Sequence, residues 1–264
     1  MRLTLPEGDS CTVALYGAQV LSWITGDGVE RLYTSPRAVF DGHAAIRGGT
    51  PICWPQFNQR GALAKHGFAR NLPWAVESAE AAAATLVLRD SEATRRVWPH
   101  VFRLRLRVAL RPRQLRIALE VHNSDAAPWT FAAALHTYLR VDDIAQARLE
   151  GLRGANRWDA VRDDRHVEAA EALRFDGGEF DSVYAAPAQP LRLVQPATTL
   201  QIAQSASCTE TVVWNPGASL AGRLADLPGD GWRHMLCVEA ARIDENVLLQ
   251  PGADWQGWQH LTVL

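Results

Sequence analysis

From Phe102 to Leu110 the chain reads Phe-Arg-Leu-Arg-Leu-Arg-Val-Ala-Leu, so apolar side chains fall on one face and Arg103, Arg105 and Arg107 on the other. After Arg111-Pro112-Arg113-Gln114 the alternation resumes with Leu115, Ile117, Leu119 and Val121. A period of two on both sides of a short proline-containing turn specifies an antiparallel hairpin with one buried and one wet face. Glu120 on the wet face of the second strand is placed to pair with the arginines across the ladder. The arginine row reads as a solvated strand face, with a basic patch as the alternative.

Further strand candidates recur along the chain: Cys11–Tyr16, Leu86–Arg89, Trp129–Arg140, Leu191–Val194, Leu200–Ala203, Thr211–Trp214, Met235–Ala240 and Leu261–Leu264. Turn signals such as Gly26-Asp27-Gly28, Asn123-Ser124-Asp125 and Asn215-Pro216-Gly217 separate them. Helical signal is thin: the alanine-rich run Ala79–Ala84 has good propensity but no amphipathic period, and Ser219–Leu224 is a second possibility. Many short strands without intervening long helices predict an all-β antiparallel sandwich. No repeat or linker divides the 264 residues, so one domain spanning 1–264 is expected.

Lys and Arg number 27 against 29 Asp and Glu, a net charge of −2, which argues against nucleic acid as a partner. No apolar stretch approaches the roughly 20 residues of a membrane helix. Cys11, Cys53, Cys208 and Cys237 are scattered, mostly in apolar runs, and read as buried free thiols in a reduced, cytoplasmic compartment. The ten tryptophans read as core and rim fillers, although on an open concave face some could stack on a sugar ring.

Five short segments carry possible chemistry. Ile46-Arg47-Gly48-Gly49-Thr50-Pro51-Ile52-Cys53-Trp54-Pro55-Gln56-Phe57 is a rigid, irregular connection in which backbone can approach a ligand and Arg47 could be a turn cap or an anion ligand. Lys65-His66-Gly67-Phe68-Ala69-Arg70 is either a solvated loop or, with Arg47, a small anion site. His136 shares a strand face with Ala132, Ala134 and Tyr138, leaving room above it for either a satisfied histidine or a general acid or base. Glu239 stands alone in Met235-Leu236-Cys237-Val238-Glu239-Ala240-Ala241, so it needs a buried partner or a proton-transfer task. Asp181, in Phe180-Asp181-Ser182-Val183-Tyr184, is the last candidate, with a turn or cap as the plain reading. Phosphate-loop, dinucleotide, zinc and nucleophile-elbow patterns do not occur.

These runs, in this order and together with Gly17-Ala18-Gln19, Leu135-His136-Thr137-Tyr138, Val141-Asp142-Asp143-Ile144 and Pro251-Gly252, resemble the D-hexose-6-phosphate mutarotases of the aldose 1-epimerase superfamily. The resemblance covers nearly the whole chain. It implies a large galactose-mutarotase-like supersandwich with a sugar site on a concave face, His136 as acid and Glu239 as base. Arg47 and Arg70 would hold a phosphate, assisted by Lys65 and beside His66, and Asp181 would bind sugar hydroxyls. The implied reaction interconverts α and β anomers of a hexose 6-phosphate by opening and closing the ring, with the imidazole and carboxylate meeting across one sugar-sized hollow. No cofactor or metal is implied, and the expected partner is the small-molecule hexose 6-phosphate, with no membrane and a monomeric chain. His136-Thr137-Tyr138-Leu139 stands where free-sugar mutarotases carry a His-Pro-Tyr-Phe-type motif, which favours the phosphosugar branch. Lys65 replaces a frequent Gln and Asn58 a frequent Gly, departures that bear on specificity. The alternatives are an epimerase of unphosphorylated aldoses and a sugar-phosphate-binding module without activity.

Overall fold

Phe102–Arg111 and Gln114–Asn123 form the expected hairpin, with Arg105 opposite Glu120 and Leu104, Leu106 and Leu119 facing inward. The computed structural model describes residues 1–264. That hairpin lies within a nine-stranded antiparallel sheet. Its strand order is Ala172–Leu173, Arg148–Glu150, Leu191–Val194, Thr199–Gln204, Asp254–Val263, Gln114–Asn123, Phe102–Arg111, Ala83–Arg89, Ala75–Ala79. An eight-stranded sheet packs against it, in the order Asp164–Val167, Asn156–Asp159, Phe180–Ala185, Glu210–Asn215, Met235–Leu249, Trp129–Leu135, Ile52–Cys53, with Tyr138–Arg140 also on Met235–Leu249. Arg2–Thr4, Ser10–Val13 and Val20–Ile24 make a small third sheet. One apolar core, running from Leu3 to Val263, lies between the two large sheets. The architecture is the all-β sandwich that the alternation predicts.

Two local expectations change. Ala79–Ala84 is not helical; it turns from one strand into the next, and Ala84 and Leu86 are buried while Ala83 and Thr85 are not. Packing on the sheet outweighs alanine's weak intrinsic preference. Trp129–Arg140 is not one strand but two, interrupted at His136 and Thr137, where the His136 N–H donates to the Pro51 carbonyl and the Thr137 N–H to that of Leu135. The helical possibility after Pro216 is a short helix, Gly217–Ala221.

A buried polar bolt joins the sheets under this interruption. Thr137 Oγ1 donates to Gln259 Oε1 at 2.6 Å, and Gln259 Nε2 donates to the Val238 carbonyl at 2.9 Å, with both side chains wholly buried. Such a satisfied network holds one geometry, because breaking any member leaves an unpaired buried group.

The Arg47–Phe57 segment reaches the sheet through glycine. Gly49 has φ +61°, and a Cβ there would stand 2.0 Å from the Val20 carbonyl oxygen. Its own carbonyl accepts from the Tyr138 N–H at 2.8 Å, so this close approach ties the segment to the strand beside His136. Gly49→Ala is expected to destabilise the protein by about 2–3 kcal/mol through strain and displaced backbone. Denaturant unfolding measures it; an unchanged midpoint would show that the segment can move away freely.

Candidate active site

The concave side of the eight-stranded sheet is lined by side chains opposite in direction to the core. Along Trp129–Leu135 the core takes Phe131, Ala133 and Leu135, while Ala132 and Ala134 turn outward into a smaller apolar cluster with Val183, Val212 and Ala241. The same alternation sends Asp181, Trp214 and Glu239 into a cleft of about 420 Å³. Arg47, Lys65, His66, Arg70 and His136 also line it, so every residue singled out from the sequence comes to one place.

The register sets the central contact. Leu135 pairs with Ala240 and Tyr138 with Cys237, which puts His136 directly across from Glu239. His136 Nε2 lies 3.2 Å from Glu239 Oε1. The two groups do not face each other across a sugar-sized gap, as expected; they are neighbours on one wall. His136 Nδ1 and Glu239 Oε2 are buried without a hydrogen-bond partner, which a purely structural pair would rarely tolerate.

Burial acts on both groups in opposite senses. It pushes the His136 imidazole down to about 3, helped by the positive charges of Arg70, Arg47 and Lys65. It raises the Glu239 carboxyl well above its usual range, with Asp181 adding to the effect and Arg70 and Lys65 opposing it. Both shifts disfavour charge, so the neutral imidazole and the protonated carboxyl are the favoured forms and the pair carries no net charge. Near neutral pH the imidazole is therefore not an isolated, ordinary histidine.

The rim is cationic. Arg47 is half-buried, its Nε donating to Asp226 Oδ2 at 3.2 Å and its Nη1 to the Tyr138 hydroxyl at 3.1 Å. Arg70 donates from Nη2 to the Lys65 carbonyl at 2.9 Å, and its buried Nε has no partner. Gly67 (φ +71°) lets this loop press on Trp54, whose carbonyl accepts from the Phe68 N–H at 3.1 Å. His66 Nδ1 accepts from the Asn58 N–H at 3.2 Å, which leaves Nε2 as its donor, and burial followed by the nearby His136 and arginines keeps the ring neutral. Asp181 is raised to about 6, first by burial and then by Glu179.

Tyr138, Trp214 and Asp226 also line the cleft and were not singled out from the sequence as site residues. Tyr138 stacks on His136 with ring centroids 4.9 Å apart, and Trp214 meets both rings edge-on at 6.1 Å. The period-two pattern already put Tyr138 on the His136 face. Asp226, in a Pro- and Gly-rich turn region, carried no signal at all. Trp158, another possible sugar platform, has Arg60 5.0 Å and Arg165 5.3 Å from its ring, so stacked cations already occupy it.

An antiparallel sandwich with an imidazole beside a carboxyl group in a cation-rimmed cleft is the architecture of a mutarotase-type protein. The chain belongs to the aldose 1-epimerase family, whose model matches residues 1–262. A protein of Cenchrus ciliaris named "Putative glucose-6-phosphate 1-epimerase" is 37% identical over 259 residues, covering 93% of this chain and 78% of its own. A protein of the same name from Escherichia coli is 37% identical over 242 residues, covering 88% and 79%. The crystal structure of a "putative mutarotase" from Salmonella typhimurium superposes with a TM-score of 0.88 at 32% identity, covering 97% of this chain and 87% of that one.

The suppressed charging of His136 has a spectroscopic consequence. Imidazole 15N shifts of His136 are expected to show no imidazolium forming as pH falls through 6.5, its ordinary value, because the folded protein has moved that step to about 3. Half-titration near 6.5 would contradict the description of the pair.

Proposed function

We propose that this protein is a hexose-6-phosphate mutarotase, a single-domain monomer acting in the cytoplasm on glucose 6-phosphate or a close relative. The observation that carries the reading is the 3.2 Å contact between His136 and Glu239 in a cleft rimmed by Arg47, Lys65 and Arg70. Family membership and the names of the 37%-identical relatives support the substrate. The four buried free cysteines fit a reducing compartment.

Anomer exchange needs one proton removed from the C1 hydroxyl and one delivered to the ring oxygen O5, and both oxygens are bonded to the same carbon. An acid and a base in contact suit that geometry better than two groups on opposite sides of a ring. With the imidazole protonated and the carboxyl ionised, Glu239 takes the C1 hydroxyl proton while His136 gives its own to O5. The C1–O5 bond breaks, C1 becomes an aldehyde, and rotation about C1–C2 presents its other face. Reverse transfers close the ring and leave the pair as it began. Positioned acid–base groups contribute about 10²–10⁴-fold each, which is ample for a reaction already fast in water. Asp181 is placed to bind sugar hydroxyls, and His66 Nε2–H is a further donor.

The cationic rim has a second effect in this scheme. Arg70, Arg47 and Lys65 oppose imidazolium formation in the empty cleft. A phosphate dianion between them offsets that repulsion and favours the proton on His136, so the substrate's remote group helps prepare the acid. Asp226 and Tyr138 hold the Arg47 fork in place for it.

NMR exchange spectroscopy on glucose 6-phosphate is expected to show His136→Ala and Glu239→Gln each lowering the catalysed rate by about 10²–10⁴-fold, in folded protein. Arg47→Ala is expected to lower kcat/KM for glucose 6-phosphate without penalising glucose. Wild-type rates equal for the two sugars would point to an aldose epimerase; binding without acceleration would point to a silent binding module.

A further inference from the structure

The outer face of the nine-stranded sheet carries charge unevenly. Its arginines at one end are neutralised: Arg105 pairs with Glu77 at 2.8 Å and with Glu120 at 3.4 Å, and Arg103 reaches Glu120 at 3.9 Å. Toward the Arg111–Gln114 turn the pattern changes. Arg107, Arg111 and Arg116 make no ion pair with any carboxylate, although the chain as a whole is net acidic. A groove of about 640 Å³ opens here, larger than the candidate active site; these three arginines line one part of it with Gln114 and His260, and the paired Glu77, Arg105 and Glu120 line the rest.

The ladder register explains why the guanidinium groups converge. Arg116 lies opposite Ala109 on one side and His260 on the other, while Arg107 lies opposite Ala118 and Thr85. The floor between the arginines is therefore made of Ala109 and Ala118, whose small side chains leave the space open. Arg107 and Arg111 are four residues apart on one strand, about 13 Å, and Arg116 projects between them from the next strand, about 5 Å away. Arg116 is half-buried and fixed, with its guanidinium 4.3 Å from the Trp258 ring. Burial and Arg107 weaken its hold on its proton, and burial with Arg116 and Arg111 lowers His260, the mark of positive charge without compensation. A solvated strand face would distribute acids among its arginines, as the other end of this same sheet does.

We propose that this groove is a second anion site, separate from the mutarotase cleft, for a small phosphate-bearing molecule with at least two phosphoryl groups. One orthophosphate can engage two neighbouring guanidinium groups in fork geometry, and a diphosphate spans all three. A nucleic acid or long acidic peptide fits less well, because the positive strip ends at the Glu77–Arg105–Glu120 row. The groove lies across the core from His136 and Glu239, so occupancy needs no contact with the reacting sugar.

Inorganic pyrophosphate is the probe, titrated into the full-length protein at constant ionic strength. The Trp258 indole N–H resonance, assigned with Trp258→Phe, reports on the groove. The shift is expected in the wild type and equally in Arg47→Ala, which removes a rim guanidinium from the other cleft. In the Arg107→Gln/Arg116→Gln double variant the apparent Kd is expected to rise by about tenfold or more, given the strength of charge-assisted hydrogen bonds. Both side chains lie on the outer face of the nine-stranded sheet, away from the cleft, so mutarotation by the folded double variant should match the wild type. A Trp258 signal that does not move, or that moves identically in the double variant, overturns the proposal. So does a response abolished by Arg47→Ala alone, since that places the only anion site in the cleft.

Discussion

A carboxyl group and an imidazole buried side by side in a β-sheet are driven toward their uncharged forms, and the site is organised around that constraint. Glu239 is 1% exposed and His136 8% exposed, and neither has another polar partner in reach. An isolated charge on either would cost several kcal/mol, so the pair stays neutral. In the proposed reaction this pair acts as acid and base toward a sugar that presents a hydroxyl and a ring oxygen to the same edge.

Holding two side chains in that relation requires rigid support, and it comes from both sheets. The cross-strand register places the pair, and the Thr137–Gln259–Val238 bolt fixes the interrupted strand to the sheet behind it. The Pro51 and Gly49 carbonyls accept from the His136 and Tyr138 N–H groups, which ties the Arg47 segment to the interrupted stretch that carries His136. The Arg47 guanidinium is thus anchored to the stretch that carries His136, so in the proposed reaction phosphate and reacting carbon would be held at a defined separation, the route by which remote binding energy reaches a chemical step.

Period-two patterning made the sandwich legible in the sequence, because one wet and one buried face is all that the pattern encodes. The same logic exposed His136, through the alanines two and four residues before it, and Glu239, as a carboxylate with no polar company. Their contact was not legible: register between strands far apart in the chain depends on turns and packing elsewhere. Asp226 was invisible for a related reason, since an aspartate among leucine, proline and glycine looks like any turn until the fold carries it to Arg47. Ala79–Ala84 misled in the opposite direction, where local propensity pointed one way and the sheet took the other. The arginine row was seen at once, yet only the ladder separates its neutralised end from its uncompensated one.

The account rests on where a hexose 6-phosphate sits. A crystal structure of the complex tests it most directly. The account predicts the C1–O5 edge within hydrogen-bond reach of His136 and Glu239, with the phosphate among Arg47, Lys65 and Arg70. A sugar bound with C1 turned away from that pair, or with its phosphate at the Arg60 and Asp181 end of the cleft, would contradict it.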